Sequence, residues 1–274
     1  EAYDSADYTL ALKFYNQLIA DSPDNFYYHY KRACVNQESG KFRDAIIDFT
    51  FLINNFDDDL AIERHEPYFW RADCLEMVND YQNAIKNMDS AISLKKDDTE
   101  YLYRRAALKK KISDINGAIN DFSMCIQIDQ TEKIHYKNRA ASKLDISDYR
   151  GAILDYKSAL ALDTNDISTL KMIAIANMYI GNTETALLNI DNALLKCPHS
   201  YEILVSKGDI LSEAGKYEES LILYNQAVDL NPNDAFLYYN RAEIKLELNK
   251  KEEARDDFLK AFNLGYFPAK EKIK

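Results

Sequence analysis

The stretch SDYRGAILDYKSALALDTND, residues 147–166, has close copies elsewhere in the chain. Residues 113–129 read SDINGAINDFSMCIQID, residues 79–94 read NDYQNAIKNMDSAISL, and residues 215–231 read GKYEESLILYNQAVDLN. A small residue precedes each apolar run, and it recurs every 34 residues from Ala84 onward. A fixed period of this length predicts a solenoid of helical pairs, because one pair alone cannot bury its apolar face.

The full alignment contains seven copies of the small residue. They are Ala45, Ala84, Ala118, Ala152, Ala186, Ser220 and Ala254. The first step is 39 residues instead of 34, which predicts five inserted residues near Leu60–Arg64. We number positions within a repeat from its first residue; these first residues are Phe26, His65, Thr99, Lys133, Ile167, Tyr201 and Ala235.

This pattern resembles the tetratricopeptide repeat (TPR), and the resemblance covers nearly the whole chain. Aromatic residues stand at position four in Tyr68, Tyr136 and Tyr238, and position eight is Ala or Gly in all seven copies. Position twenty-four is aromatic in five copies, and Pro occupies position thirty-two at Pro23, Pro198 and Pro232.

The resemblance implies an all-α fold, a right-handed superhelical solenoid of antiparallel helix pairs. We expect one domain over residues 1–274 with fifteen main helices. It would consist of a half repeat at 1–25, full repeats at 26–64, 65–98, 99–132, 133–166, 167–200, 201–234 and 235–268, and the start of a capping helix at 269–274. A short helix near Pro268 would cover the last repeat, because an exposed final apolar face is costly.

Turn and cap residues support these boundaries. Gly40, Gly181 and Gly215 stand at position fifteen, where a left-handed residue ends the first helix, and Asn79 and Asn249 tolerate that conformation too. The repeats end in residues suited to N-cap the following helix, namely Asp98, Asp166, Ser200 and Asp234.

Position seven lies within the apolar stripe of the first helix, yet it is Arg in five repeats. A buried cation needs a partner. Position twenty-three on the second helix is Asp in four of those five repeats and never Asp elsewhere. We therefore predict the ion pairs Arg32–Asp48, Arg105–Asp121, Arg139–Asp155 and Arg241–Asp257.

The opposite face of each first helix is the one that lines the concave groove in TPR proteins, where peptides usually dock. This face predicts a peptide-binding groove with aromatic and basic residues in the first four repeats and an apolar patch in the fifth. The candidates are Tyr30, Phe69, Trp70, Tyr103, Arg104, Lys110, Lys137, Asn138, Met172 and Ile175. Three alternatives are that these aromatics only touch the neighbouring helix, that the true register places them inside, or that Trp70 packs on the Leu60–Arg64 insertion.

Two known groove types do not fit. Some TPR co-chaperones bind peptides through a dicarboxylate clamp. Asn138 or Asn240 matches the middle asparagine of that clamp, but the flanking repeats lack its other residues. An asparagine ladder also fails, because only two of seven repeats carry Asn at position six.

Composition and motifs exclude other classes of function. The net charge of −11 argues against nucleic acid or an anionic membrane as the main partner, and no apolar run is long enough for a membrane span. The four cysteines and four histidines are scattered, which predicts no metal site, no cofactor and free thiols, and favours a cytoplasmic protein. The acidic run Asp57–Asp59 is interpreted as a solvated loop.

No Gly-rich phosphate loop, HExxH or GxSxG motif is present, so we expect no enzyme activity. The sequence predicts a non-catalytic scaffold that binds a peptide segment of a partner protein. The alternative is a substrate-recruiting or regulatory portion of a longer, possibly enzymatic, chain.

Overall fold

A computed structural model describes residues 8–56 and 62–273. Within these residues the protein contains fifteen α-helices, one 3₁₀ helix and no strand, which confirms the predicted all-α fold and helix number. The chain divides into two compact units between His135 and Tyr136. The superhelical handedness and the single domain concern both units together and stay predictions.

In the first unit, each helix packs against the next in chain order from α1 to α7. The helices are α1 (Tyr8–Asp21), α2 (Phe26–Glu38), α3 (Phe42–Asn54), α4 (Glu66–Met77), α5 (Tyr81–Leu94), α6 (Thr99–Lys111) and α7 (Ile115–Ile128). The expected insertion falls between α3 and α4. Residues 57–61, which include Asp57–Asp59 and the start of Leu60–Arg64, lie outside the described residues.

Helix α8 (Lys133–Asp145) begins in the first unit and continues into the second. The second unit continues with α9 (Tyr149–Leu162), α10 (Ile167–Tyr179), α11 (Thr183–Lys196), α12 (Tyr201–Glu213), α13 (Tyr217–Leu230), α14 (Ala235–Glu247) and α15 (Lys251–Asn263). From α9 to α15 each helix again packs on its successor.

The small residues of the repeat let the two helices of a pair approach closely. Ala33 and Ala45 of the first repeat are fully buried around Phe49, and Ala242 and Ala254 surround Phe258 in the same way. Gly208 shows how tight this approach is, since a Cβ added there would lie 2.9 Å from the Tyr224 ring. Size at positions eight and twenty therefore sets the helix spacing.

The helix ends follow the predicted caps. The side chains of Asp98, Asp166, Ser200 and Asp234 each accept a hydrogen bond from a backbone N–H in the first turn of the next helix. Position fifteen has positive φ at all five predicted Gly and Asn residues. It also has positive φ at Ser113 (63°) and Ser147 (61°), which the sequence analysis did not single out.

All four predicted Arg–Asp ion pairs are confirmed. Each guanidinium donates from Nε and Nη2 to the two carboxylate oxygens, at 2.6–3.0 Å. The four carboxylates are at most 8% exposed and the arginines 14–21%. In three repeats a lysine four residues after the arginine joins the same carboxylate: Lys109, Lys143 and Lys245.

Position seven also connects neighbouring repeats. The Nη1 atoms of Arg32, Arg105 and Arg241 donate to position twenty-five of the preceding second helix, at 2.7–2.9 Å. Lys207 reaches the same position at Asp191, with Nζ 2.7 Å from Oδ1. These contacts join position seven of a first helix to the second helix of the preceding repeat, and they link successive repeats within each unit.

The chain end carries the expected cover for the last repeat. Residues Phe267–Lys272 form a 3₁₀ helix, and Ala269 is buried against α15 together with Tyr266 and Ile273. The expected helix near Pro268 is therefore confirmed, in 3₁₀ geometry. None of the helices in the described ranges combines the length and apolar character needed to cross a membrane.

Candidate functional site

The predicted groove residues divide between the two units. Those of the first unit, here the first-unit groove set, lie on α2, α4 and α6 and are Tyr30, Phe69, Trp70, Tyr103, Arg104 and Lys110. Those of the second unit are Lys137 and Asn138 on α8 and Met172 and Ile175 on α10. Every one of the ten is half-buried, which means that each shares its surface between a neighbouring helix and solvent.

Trp70 lies against the preceding repeat. Its ring centroid is 5.2 Å from that of Tyr30 and 5.8 Å from that of Phe49. Burial raises the pKa of Tyr30 to about 12, so its hydroxyl stays protonated at neutral pH. Part of the Trp70 surface therefore serves packing between α2, α3 and α4.

Phe69 turns toward the following repeat. It stacks on Tyr101 at 4.8 Å, and the Tyr101 hydroxyl is 2.7 Å from Nδ1 of His65. Tyr103 meets Phe122 edge to face at 5.8 Å between ring centroids. The Phe69–Tyr101 contact stabilises the interface between two repeats, whereas the Tyr103–Phe122 contact stabilises the helix pair of one repeat. Tyr101 was not among the residues predicted from the sequence, although it stands at position three of its repeat, within the apolar stripe of the first helix.

Arg104 already has carboxylate partners. Arg104 donates a hydrogen bond to Asp73, and its Nη2 lies 3.7 Å from Oε2 of Glu76. Burial raises the pKa of Asp73, although the bond from Arg104 acts in the opposite direction. Lys111 also pairs with Glu76, at 2.8 Å. Two acidic residues of α4 thus neutralise much of the positive charge that the sequence predicted on α6.

In the second unit, Lys137 stabilises the start of a helix. Its Nζ lies 2.7 Å from Oδ2 of Asp166, the N-cap of α10, and 2.9 Å from Oγ of Ser168. Met172 packs on the cluster around Tyr156 and Ile173, and Ile175 is half-buried on the same helix. The apolar patch is therefore only partly available at the surface.

Two of the free cysteines, Cys74 and Cys125, are buried. In the described ranges, no three His, Cys, Asp or Glu side chains come together as a metal site. Burial raises the pKa of Cys74 and of Cys125 to about 12, which keeps both thiols protonated and poorly nucleophilic.

Comparisons with known proteins agree with this architecture. A family model described as TPR repeat matches residues 208–249, and one described as Tetratricopeptide repeat matches residues 237–264. No curated protein matches the sequence significantly.

Several solved structures share the fold. A tetratricopeptide repeat protein from Parabacteroides merdae is 18% identical, with a TM-score of 0.68, and the match covers 90% of this chain and 97% of that one. The C-terminal part of a TPR repeat-containing protein from Cytophaga hutchinsonii is 15% identical, with a TM-score of 0.72 and coverage of 86% and 95%. A chain of the APC/C hetero-tetramer Cut9–Hcn1 is 14% identical, with a TM-score of 0.57 and coverage of 97% and 52%. These likenesses establish the fold, and the family models identify tetratricopeptide repeats within residues 208–264.

Proposed function

We propose that this tetratricopeptide-repeat protein is a non-catalytic scaffold that binds a peptide segment of a partner protein through the first-unit groove set. The observation that carries the proposal is the row of half-buried aromatics on successive first helices, Tyr30, Trp70, Phe69 and Tyr103. Half-buried aromatic side chains held rigid by neighbouring rings are well suited to anchor a partner, because little conformational entropy is lost on binding.

The proposed peptide places an aromatic or aliphatic side chain near Trp70. An acidic group of the peptide would share Arg104 with Asp73 and Glu76, so it would contribute less than it would beside an unpaired guanidinium. Met172 and Ile175 of the second unit are proposed as a separate adaptable apolar contact. The net charge of −11 supports a protein partner over nucleic acid.

Known proteins of this fold offer a supporting analogy, since one solved chain comes from a hetero-tetramer. A fold shared at 14% identity carries no information about which partner is bound. The proposal therefore depends on the surface of this chain.

Peptides selected from a random display library on the immobilised protein test the proposal. Trp70 is the sole tryptophan, so its fluorescence reports binding without any mutation. We expect a saturable change in emission. We also expect Trp70→Leu to weaken binding at least about tenfold by calorimetry, as truncation of a hot-spot residue does.

Leu195→Ala is the matched control, because Leu195 is 81% exposed on a second helix of the other unit. It should bind the peptides as the wild type does. Melting curves establish that Trp70→Leu is folded at the assay temperature. Peptides that bind tightly without altering Trp70 emission, and that bind Trp70→Leu equally well, would show that the groove assignment is wrong.

A further inference from the structure

The second repeat contains an arginine at position seven that differs from the other four. Arg71 donates from Nε to Oδ1 of Asn87 at 2.7 Å and from Nη1 to Oγ1 of Thr50 at 3.0 Å. Both acceptors are neutral. Among the described residues no carboxylate pairs with this guanidinium, whereas Arg32, Arg105, Arg139 and Arg241 each hold an aspartate.

The acidic residue closest in sequence to Asn87 is already paired with another arginine. Asp89, two residues after Asn87 on α5, pairs with Arg105 at 2.8 Å. Burial lowers the pKa of Arg71, while at Arg32 the hydrogen bond that the guanidinium donates to Asp48 raises the guanidinium pKa. A partly buried cation without a counter-charge is costly to maintain.

Arg71 lines an open cleft of about 360 Å³ between α3, α4 and α5. The cleft is lined by Ile46, Thr50, Arg71, Leu75, Asn83, Lys86, Asn87 and Ser90. Among the described residues, this lining contains two cations, several hydrogen-bonding groups and no acidic residue. The first-unit groove set contributes no residue to this lining.

An equivalent cleft in the preceding repeat shows what is missing. It lies between α1, α2 and α3, and its lining includes Arg32 together with Asp44 and Asp48. Asn83 and Asn87 occupy the same repeat positions, nineteen and twenty-three, in the second cleft. Each Asp of the first cleft is thus replaced by its uncharged isostere, and Ile47 at position twenty-two is replaced by Lys86. The first cleft also contains Lys13 and Lys41, so its lining carries three cations and two carboxylates. The second cleft carries two cations and, among the described residues, no carboxylate.

We propose that the cleft around Arg71 is an anion-binding site that takes a carboxylate, supplied by an acidic side chain of a partner polypeptide or by a small organic acid. A carboxylate is the favoured anion because the guanidinium at this repeat position binds a carboxylate in four other repeats, with Nη2 as one of its two donors. At Arg71 the Nε donor is taken by Asn87, so Nη2 is the donor proposed for the ligand. The ligand would accept hydrogen bonds from Nη2 of Arg71 and from Lys86. This site is independent of the proposed groove.

Nuclear magnetic resonance of the arginine Nε–H groups tests the site directly. The Arg71 signal is assigned by its loss in Arg71→Lys. Sodium acetate is titrated against sodium chloride at constant ionic strength, and a blocked Gly-Glu-Gly peptide is compared with its Gln counterpart. We expect saturable shifts of the Arg71 signal with acetate and with the Glu peptide, and none with chloride or the Gln peptide. Tighter binding of the Glu peptide than of acetate would identify a polypeptide as the source.

Two controls are built into the chain. The Arg241 signal should not respond, because Asp257 already occupies its guanidinium. Asn87→Asp should weaken acetate binding at least about tenfold and raise the urea midpoint, because the new carboxylate fills the site from within. An Arg71 signal that ignores acetate, responds equally in Asn87→Asp, or responds to inorganic phosphate but not to acetate would overturn the proposal.

Discussion

Replacing Asp121 by Asn should destabilise the protein far more than the same change at an exposed ion pair. The Asp121 side chain is fully buried and is bound by Arg105 through two hydrogen bonds of 2.6 and 3.0 Å and by Lys109 at 2.9 Å. Asparagine has nearly the same shape, so the substitution removes the charge and leaves the packing intact. Asn87 shows that an amide fits beside an arginine at this repeat position.

The expected loss of stability follows from the interactions of the Asp121 carboxylate that an amide cannot make. One bond survives, from Nε of Arg105 to the amide oxygen, as in the second repeat. The charge-assisted bond from Nη2 and the pairing with Lys109 are weakened, at about 1.5–3 kcal/mol for each hydrogen bond to a charged group. Arg105 and Lys109 are only 14% and 16% exposed, so water compensates them poorly. We expect a loss of about 3–5 kcal/mol, the range for removing one partner of a buried pair.

Equilibrium unfolding in urea, followed by circular dichroism, measures the change in free energy. Hydrogen exchange of the α6 and α7 amides localises the loss, because repeats in a solenoid need not unfold together. Asp191→Asn is the matched control. Asp191 pairs with Lys207 at 2.7 Å but is 49% exposed, so its loss should cost at most about 1 kcal/mol. A loss of unfolding free energy in Asp121→Asn no greater than that in Asp191→Asn would contradict this prediction.

Two further predictions concern a turn and a cap. Ser113 has a φ of 63°, where an L-residue is strained, so Ser113→Gly should raise the free energy of unfolding in urea by about 0.5–1 kcal/mol. As the control, Ser158→Gly in the middle of α9 should lower it. A lower free energy of unfolding for both variants would contradict the prediction. Burial opposes ionisation of Asp166, but hydrogen bonds from Lys137 and nearby donors outweigh it and lower the pKa of this carboxyl group. Its stabilising contribution is therefore complete above the unfolded pKa of about 3.9 and is lost as the pH falls toward the folded value. The difference in urea midpoint between wild type and Asp166→Asn should shrink between pH 6 and pH 3, and a constant or growing difference would contradict the assignment.

The sequence by itself determined the features that lie within one repeat. The spacing of small residues predicted the helix pairs, and Asp and Ser before each pair predicted the caps. The Arg–Asp pairs could also be predicted, because positions seven and twenty-three always lie sixteen residues apart on two helices joined by one tight turn. Local chain geometry fixes such contacts, so a pattern of residues is sufficient to recognise them.

Only the tertiary structure decided the features that depend on how one repeat lies against the next. The pairing of Arg104 with Asp73, the direction of Trp70 toward Tyr30, and that of Phe69 toward Tyr101 all join residues of different repeats. These contacts depend on the relative shift and rotation of neighbouring first helices, which residue spacing does not specify. The exceptional Arg71 illustrates both levels. Asn87 is visible in the sequence, but the cleft that leaves the guanidinium open to a ligand exists only once α3 and α5 pack beside α4.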